Sequence, residues 1–205
     1  MAGGVAGAMV KAAAGAAAAA AMRQAVLTAD TAWEPYALAR NLRHAAGRIG
    51  WGHTQWPRVD GRISGIHVAL ELVPGSGGYQ TAAIAAPLDA MQGNLEVTRE
   101  GVIAKISKVF GAQDIALGDE AFDRAFLVKA TSEAVARAVL SAEVRREMLA
   151  MAAERVVYDD GSEHRHVAMV LFEVPRILQE AQEIDRALGA AVEIARARVQ
   201  QAPYR

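Results

Sequence analysis

The sequence predicts an α+β fold: antiparallel sheet built from hairpins, packed by helices, with an alanine-rich helix at the N-terminus. Three observations carry the prediction. Apolar residues alternate at period two before the turn cluster Pro74-Gly75-Ser76-Gly77-Gly78, and residues 79–88 after it read as the returning strand of a hairpin. A second hairpin is signalled by Asp160-Gly161, a pair that favours a type I′ turn. Helical periodicity is interspersed with these hairpins and does not alternate one-to-one with strands, which argues against a doubly wound parallel sheet. No period of 20–50 residues is evident, so a repeat architecture is unsupported.

The elements follow in order. Residues 2–22 carry one charge, Lys11, and are otherwise almost entirely alanine and glycine. Alanine is the strongest helix former, so residues 9–26 are expected to be helical, with glycines at 3, 4 and 7 fraying the start. Only Val5 and Val10 come from the residues that drive bilayer insertion, which speaks against a membrane span or a secretory h-region. The expected organisation is an Ala/Gly-rich segment, 1–28, followed by one α+β domain, 29–205. A second helix is expected over 30–49, capped by Asp30 or Thr31. Leu38, Leu42, Ala45 and Ile49 lie on one face, and Pro35 falls in the first turn. A Gly- and Trp-rich loop leads to a strand at 62–73, whose even positions Ile66, Val68, Leu70 and Leu72 form an apolar face. Residues 79–88 return as its hairpin partner. Residues 94–100 are read as a third strand, 102–110 as helix or strand, and 122–129 as a fourth strand with Phe122, Phe126 and Val128 on one side. Thr131 is the expected cap of a helix reaching about Ala153, breaking at Ser141. The two-residue turn at 160–161 would pair Val157 with His164 and turn Val167, Met169 and Leu171 inward. After Pro175, Ile184, Leu188, Ala191 and Ala195 mark the most regular amphipathic helix of the body.

Composition excludes several chemistries. The 205 residues include no cysteine, which rules out thiol nucleophiles, disulfides and zinc sites built on sulfur. The net charge of −1 gives no global attraction to nucleic acid or anionic membrane. There is no phosphate-binding GxxxxGK[ST] motif and no GxSxG elbow, and Gly75-Ser76-Gly77-Gly78 joins two strands instead of opening a helix.

Residues 118–128, Gly-Asp-Glu-Ala-Phe-Asp-Arg-Ala-Phe-Leu-Val, precede a helix containing Leu140, Val144, Met148 and Leu149. This pattern resembles the Phe-Asp-x-x-Phe-x-Val strand and following helix of a group of uncharacterised bacterial proteins built on a domain of unknown function. The resemblance implies a bacterial source and no known chemistry, and it assigns no functional residue. The physical reading of Asp119 and Asp123 is that they satisfy backbone donors at a turn.

Three functional readings remain. The first is a non-enzymatic bacterial interaction or scaffold domain, cytoplasmic, meeting a protein partner or a second copy through its N-terminal helix; membrane association or export through that segment ranks below it. No cofactor is expected. The second is a small metal-dependent hydrolase built on His164 and His166, alternate residues that a strand would point the same way, with His67 and Glu71 on the outer face of another strand. The third is an anion-binding surface over residues 40–62, where Arg40, Arg43, Arg48 and Arg58 are interleaved with Trp51, His53 and Trp56, for an anionic polymer or membrane surface. The competing reading of that segment is structural: tryptophans plug the end of the core while arginines cover it.

Overall fold

A computed structural model of the chain describes residues 3–50, 54–75, 77–101, 113–162 and 167–198. Its helices are α1 (Gly3–Ala39), α2 (Glu120–Ala125), α3 (Glu133–Val139), α4 (Ala142–Ala150) and α5 (Ala181–Ala195). Its strands are β1 (Arg43–Ala45), β2 (Arg48–Ile49), β3 (Thr54–Gln55), β4 (Arg58–Ile63), β5 (Ile66–Gly75), β6 (Gly78–Ala86), β7 (Leu95–Arg99), β8 (Gln113–Asp114), β9 (Phe126–Ala130), β10 (Arg155–Asp159) and β11 (Met169–Val174). Among the described residues, nine strands form one sheet in the order β1-β4-β5-β6-β11-β10-β7-β9-β8. Every pairing in it is antiparallel. β2 and β3 form a separate short ribbon. The α+β prediction is met.

Strand alternation makes one face of the sheet the core. A single cross-strand row runs Leu70–Ala83–Phe172–Val156–Val97–Val128, and all six side chains are buried. The central strand β6 brings Tyr79 at its start and then the small residues Thr81, Ala83 and Ala85 to this face. Short side chains there let α5 lie close over β5, β6 and β11. α5 buries Ile184, Leu188, Ala191 and Ala195, the positions expected from its periodicity, together with Ala187 and Ile194. The opposite face of the sheet carries Glu71, Glu173, Arg155 and Lys129, with Ile84, Leu171 and Val157 between them.

Several elements depart from expectation, each for a local reason. There is no separate helix over 30–49. α1 runs through both anticipated helices and stops at Ala39. Asn41 adopts φ 53°, its N–H donates to Leu38 O, and the Leu42 N–H donates to Ala37 O at 2.9 Å. These paired bonds around a left-handed asparagine end a helix in the Schellman manner. Ala45 and Ile49 consequently lie on strands, and Pro35 sits inside the helix instead of in a first turn. The strand anticipated at 62–73 is two strands. Ser64 (φ 50°) and Gly65 (φ 84°) form the turn between β4 and β5, since consecutive positive φ values match the right-handed twist of a hairpin. The even positions of β5 are buried as expected.

Phe122 belongs to α2, not to a strand. The Asp119 carboxylate accepts from the Phe122 N–H at 3.2 Å and starts a helical turn there. Phe122 still stacks against Phe126, with ring centroids 4.9 Å apart. Ser132, not Thr131, caps α3; Thr131 Oγ1 accepts from the Asn94 N–H. The break at Ser141 is present, and Ser141 caps α4. The second hairpin pairs the anticipated strands in a different register. Asp159 faces Met169, Val157 faces Leu171, and residues 160–168 connect them. Asp160 explains this: its carboxylate accepts from the Gly93 N–H at 2.7 Å and from the Ser162 N–H at 2.9 Å. The Asp-Gly pair therefore anchors the connection to the chain before β7 and does not close a two-residue turn. The register places Val170, Phe172 and Val174 in the core, and leaves Met169 and Leu171 half-buried on the other face.

Candidate docking surface

α1 is the longest element, 37 residues, and at 1.5 Å per residue it spans about 55 Å. Its last third is seated in the body. Ala25, Val26, Ala29, Trp33, Tyr36 and Ala37 are buried and fall on one side of the helix. Residues 15–18, 20, 21, 23 and 24 are exposed, so the helix leaves the core near Ala25 and continues outward. The side opposite the core carries the exposed leucines Leu27 (61%) and Leu38 (83%). No described helix is long and apolar enough to cross a membrane.

Three polar anchors hold the seated part. Trp33 Nε1 donates to the Leu178 carbonyl oxygen at 2.8 Å. The Asp30 carboxylate accepts from His44 Nε2 and from the Gly47 N–H, each at 3.0 Å, tying the turn after β1 to the helix. Asp185 of α5 accepts from Tyr36 Oη at 2.8 Å and from Arg40 Nη2 at 2.5 Å. The Arg40 hydrogen bond leads in holding the Asp185 carboxyl below its ordinary range, against the opposing effect of burial. Burial, then the Asp185 contact, raises the Tyr36 phenol above its own.

The signs fix a pH dependence. The Asp185 contribution to stability is complete above the ordinary aspartate range and is lost as pH falls through the depressed folded value. The Tyr36 contribution is complete below the ordinary phenol value and is lost at higher, strongly alkaline pH. Asp185→Asn is expected to lower Tm by about 2–4 °C at pH 7, a small effect because solvent screens the pair. Thermal melts should show that difference fading as the pH is taken below about 4, and a constant difference down to pH 2 would contradict the assignment.

The residues singled out in the sequence are distributed as follows. Trp51, His53, His164 and His166 lie outside the described residues. Arg40 pairs with Asp185 and stacks over the Tyr36 ring, 5.5 Å from its centroid. Arg43 pairs with Asp60 at 2.7 Å, and Arg58 pairs with Glu71. Arg48 is exposed on β2. Trp56 is half-buried against Tyr79, with centroids 5.3 Å apart. Three of the four arginines are thus already joined to carboxylates, and Trp33 and Trp56 pack on the core. His67 is exposed on β5 between Arg62 and Ala86. Asp123 accepts from the Leu117 and Gly118 N–H groups, and Asp119 also pairs with Arg145 at 3.0 Å. Both aspartates therefore serve turns and caps.

A cleft of about 330 Å³ between α4 and α5 is lined by Glu143, Glu147, Asp185 and Arg186 among others. Three of its four acids have cationic partners: Arg186 reaches Glu147 at 2.7 Å, Arg146 reaches Glu143 at 3.4 Å and Arg40 holds Asp185. No group of three or more histidines and carboxylates suited to a metal ion occurs among the described residues. The outer face of α1 is the feature that sequence reasoning missed. Its signal was present in residues 20–38, but it becomes visible only when the two anticipated helices are joined into one.

No protein-family model matches the sequence, and no curated protein sequence matches it. A solved structure is similar: the crystal structure of the mycobacterial trehalose monomycolate transport factor A, TtfA, at TM-score 0.57 and 12% identity, covering 80% of this chain and 91% of that one. At that identity the likeness is one of fold.

Proposed function

We propose that the chain is a non-enzymatic bacterial adaptor domain, acting in the cytoplasm, whose α+β body presents the projecting α1 helix for docking. The observation that carries this reading is the exposed outer side of α1, where Leu27 and Leu38 are 61% and 83% accessible on a helix firmly seated on its other side. A single exposed leucine is ordinary; what favours a contact here is that both stand on one side of a helix whose other side is anchored in the core. The likeness in fold to a transport factor supports an accessory role in transport over a chemical one.

The test is the double variant Leu27→Glu/Leu38→Glu, which changes only exposed side chains of α1 and keeps every buried one. We expect its Tm to stay within about 2 °C, the range of a neutral surface change. In the source bacterium, the assembly containing the tagged full chain should shift to smaller size in the double variant, and its cellular distribution should change. An unchanged assembly and distribution would overturn the docking reading.

A further inference from the structure

We propose that the outer face of α1 pairs with the same face of a second copy of this chain, antiparallel, about a two-fold axis passing near Ala29. This rests on the docking reading above and names the occupant. Ala20, Gln24, Leu27, Thr31, Glu34 and Leu38 are all exposed, and they recur at spacings of four and three. That is the repeat of a coiled-coil seam, and it lies opposite the core-facing side of the helix.

The seam is self-complementary in one orientation. Reversed about residue 29, position 20 falls opposite 38, 24 opposite 34 and 27 opposite 31. Leu38 of one copy then lands over Ala20 of the other, where a shallow hollow is lined by Ala16, Ala19, Ala20, Arg23, Gln24 and Leu27. Leu27 meets Thr31, whose hydroxyl already donates to the Leu27 carbonyl of its own helix at 2.8 Å and so turns no unmet donor to the partner. Charge completes the match. Arg23 and Glu34 are exposed, and neither has an ion-pair partner among the described residues. In the antiparallel arrangement each Arg23 reaches the Glu34 of the other copy. A parallel pair would instead set Glu34 against Glu34 across the seam and leave the two Arg23 side chains on opposite edges. An isologous pairing of this kind closes on itself and needs no third component.

The absence of native cysteine makes cross-linking a clean test. The full chain is examined by sedimentation equilibrium up to about 100 µM, a range that captures associations of modest affinity. A dimer is expected. Arg23→Glu or Glu34→Arg alone should weaken it about fivefold or more, and the two together should restore it, since opposite charges set orientation at such a seam. The double variant Ala20→Cys/Leu38→Cys should form covalent dimers under mild oxidation, while Ala20→Cys alone should not. In the antiparallel pair the two Ala20 residues stand about 27 Å apart, beyond disulfide reach.

A monomer at 100 µM overturns the proposal. So does cross-linking of the single Ala20→Cys variant as fast as the double one, or a dimer indifferent to charge reversal. Any of these outcomes leaves the docking reading standing if Leu27→Glu/Leu38→Glu still alters the cellular assembly. If that double variant changes nothing, the docking reading fails by itself.

Discussion

Replacing Trp33 with alanine is expected to remove about 4 kcal/mol or more of folding stability, a large fraction of the roughly 5–15 kcal/mol that a folded domain possesses. The side chain is fully buried, and its loss leaves a large cavity where α1 meets the body. The indole N–H donates to the carbonyl of Leu178, which is also fully buried. Without that donor the carbonyl stays desolvated and unmet, at a further cost of about 1–3 kcal/mol. The damage extends along a chain of contacts. The Leu178 N–H donates to Thr81 Oγ1, and the Thr81 N–H donates to the Arg176 carbonyl, so Trp33 fixes the approach to α5 against the central strand β6. Urea denaturation measures the loss. Trp33→Phe separates its two causes, because it keeps most of the volume and gives up only the hydrogen bond. A loss under about 1.5 kcal/mol for the alanine variant would mean that α1 is not seated as described.

The sequence made the period of each element legible more readily than its end. Alternation in β5 and the three-to-four spacing of α5 gave the right buried residues, because each pattern is set by burial of one face along its whole length. Ends depend on single side chains and on remote partners. Asn41 stops α1 by taking a left-handed conformation, which asparagine tolerates but does not require. Asp160-Gly161 is read locally as a two-residue turn, yet Asp160 accepts from Gly93, 67 positions away in the chain. Phe122 fits a strand by alternation, and it is Asp119 that turns the segment into a helix. The exposed outer face of α1 was hidden for a related reason. An exposed seam carries no burial signal, and the six positions from Ala20 to Leu38 line up only on one continuous helix. The arginines of 40–62 were legible as a cluster, but their partners were not: Asp185 comes from α5 and Glu71 from β5.

The shifted register of the second hairpin supplies the other large effect. A one-residue change of parity exchanges the two faces of a strand, so neighbouring residues in β11 should respond to the same substitution with very different losses. Phe172 is fully buried in the row between Ala83 and Val156, beneath α5, and Phe172→Ala is expected to cost about 3–5 kcal/mol. Leu171 lies between Ile84 and Val157 on the opposite, partly solvated face, and Leu171→Ala is expected to cost less than about 1.5 kcal/mol. A two-residue turn at Asp160-Gly161 predicts the reverse order, with Leu171 in the core and Phe172 outside. Equilibrium denaturation of the two single variants decides between the registers without further structural work. If Leu171→Ala proves the costlier, the pairing of β10 with β11 is wrong by one residue, and the core row through Phe172 fails with it.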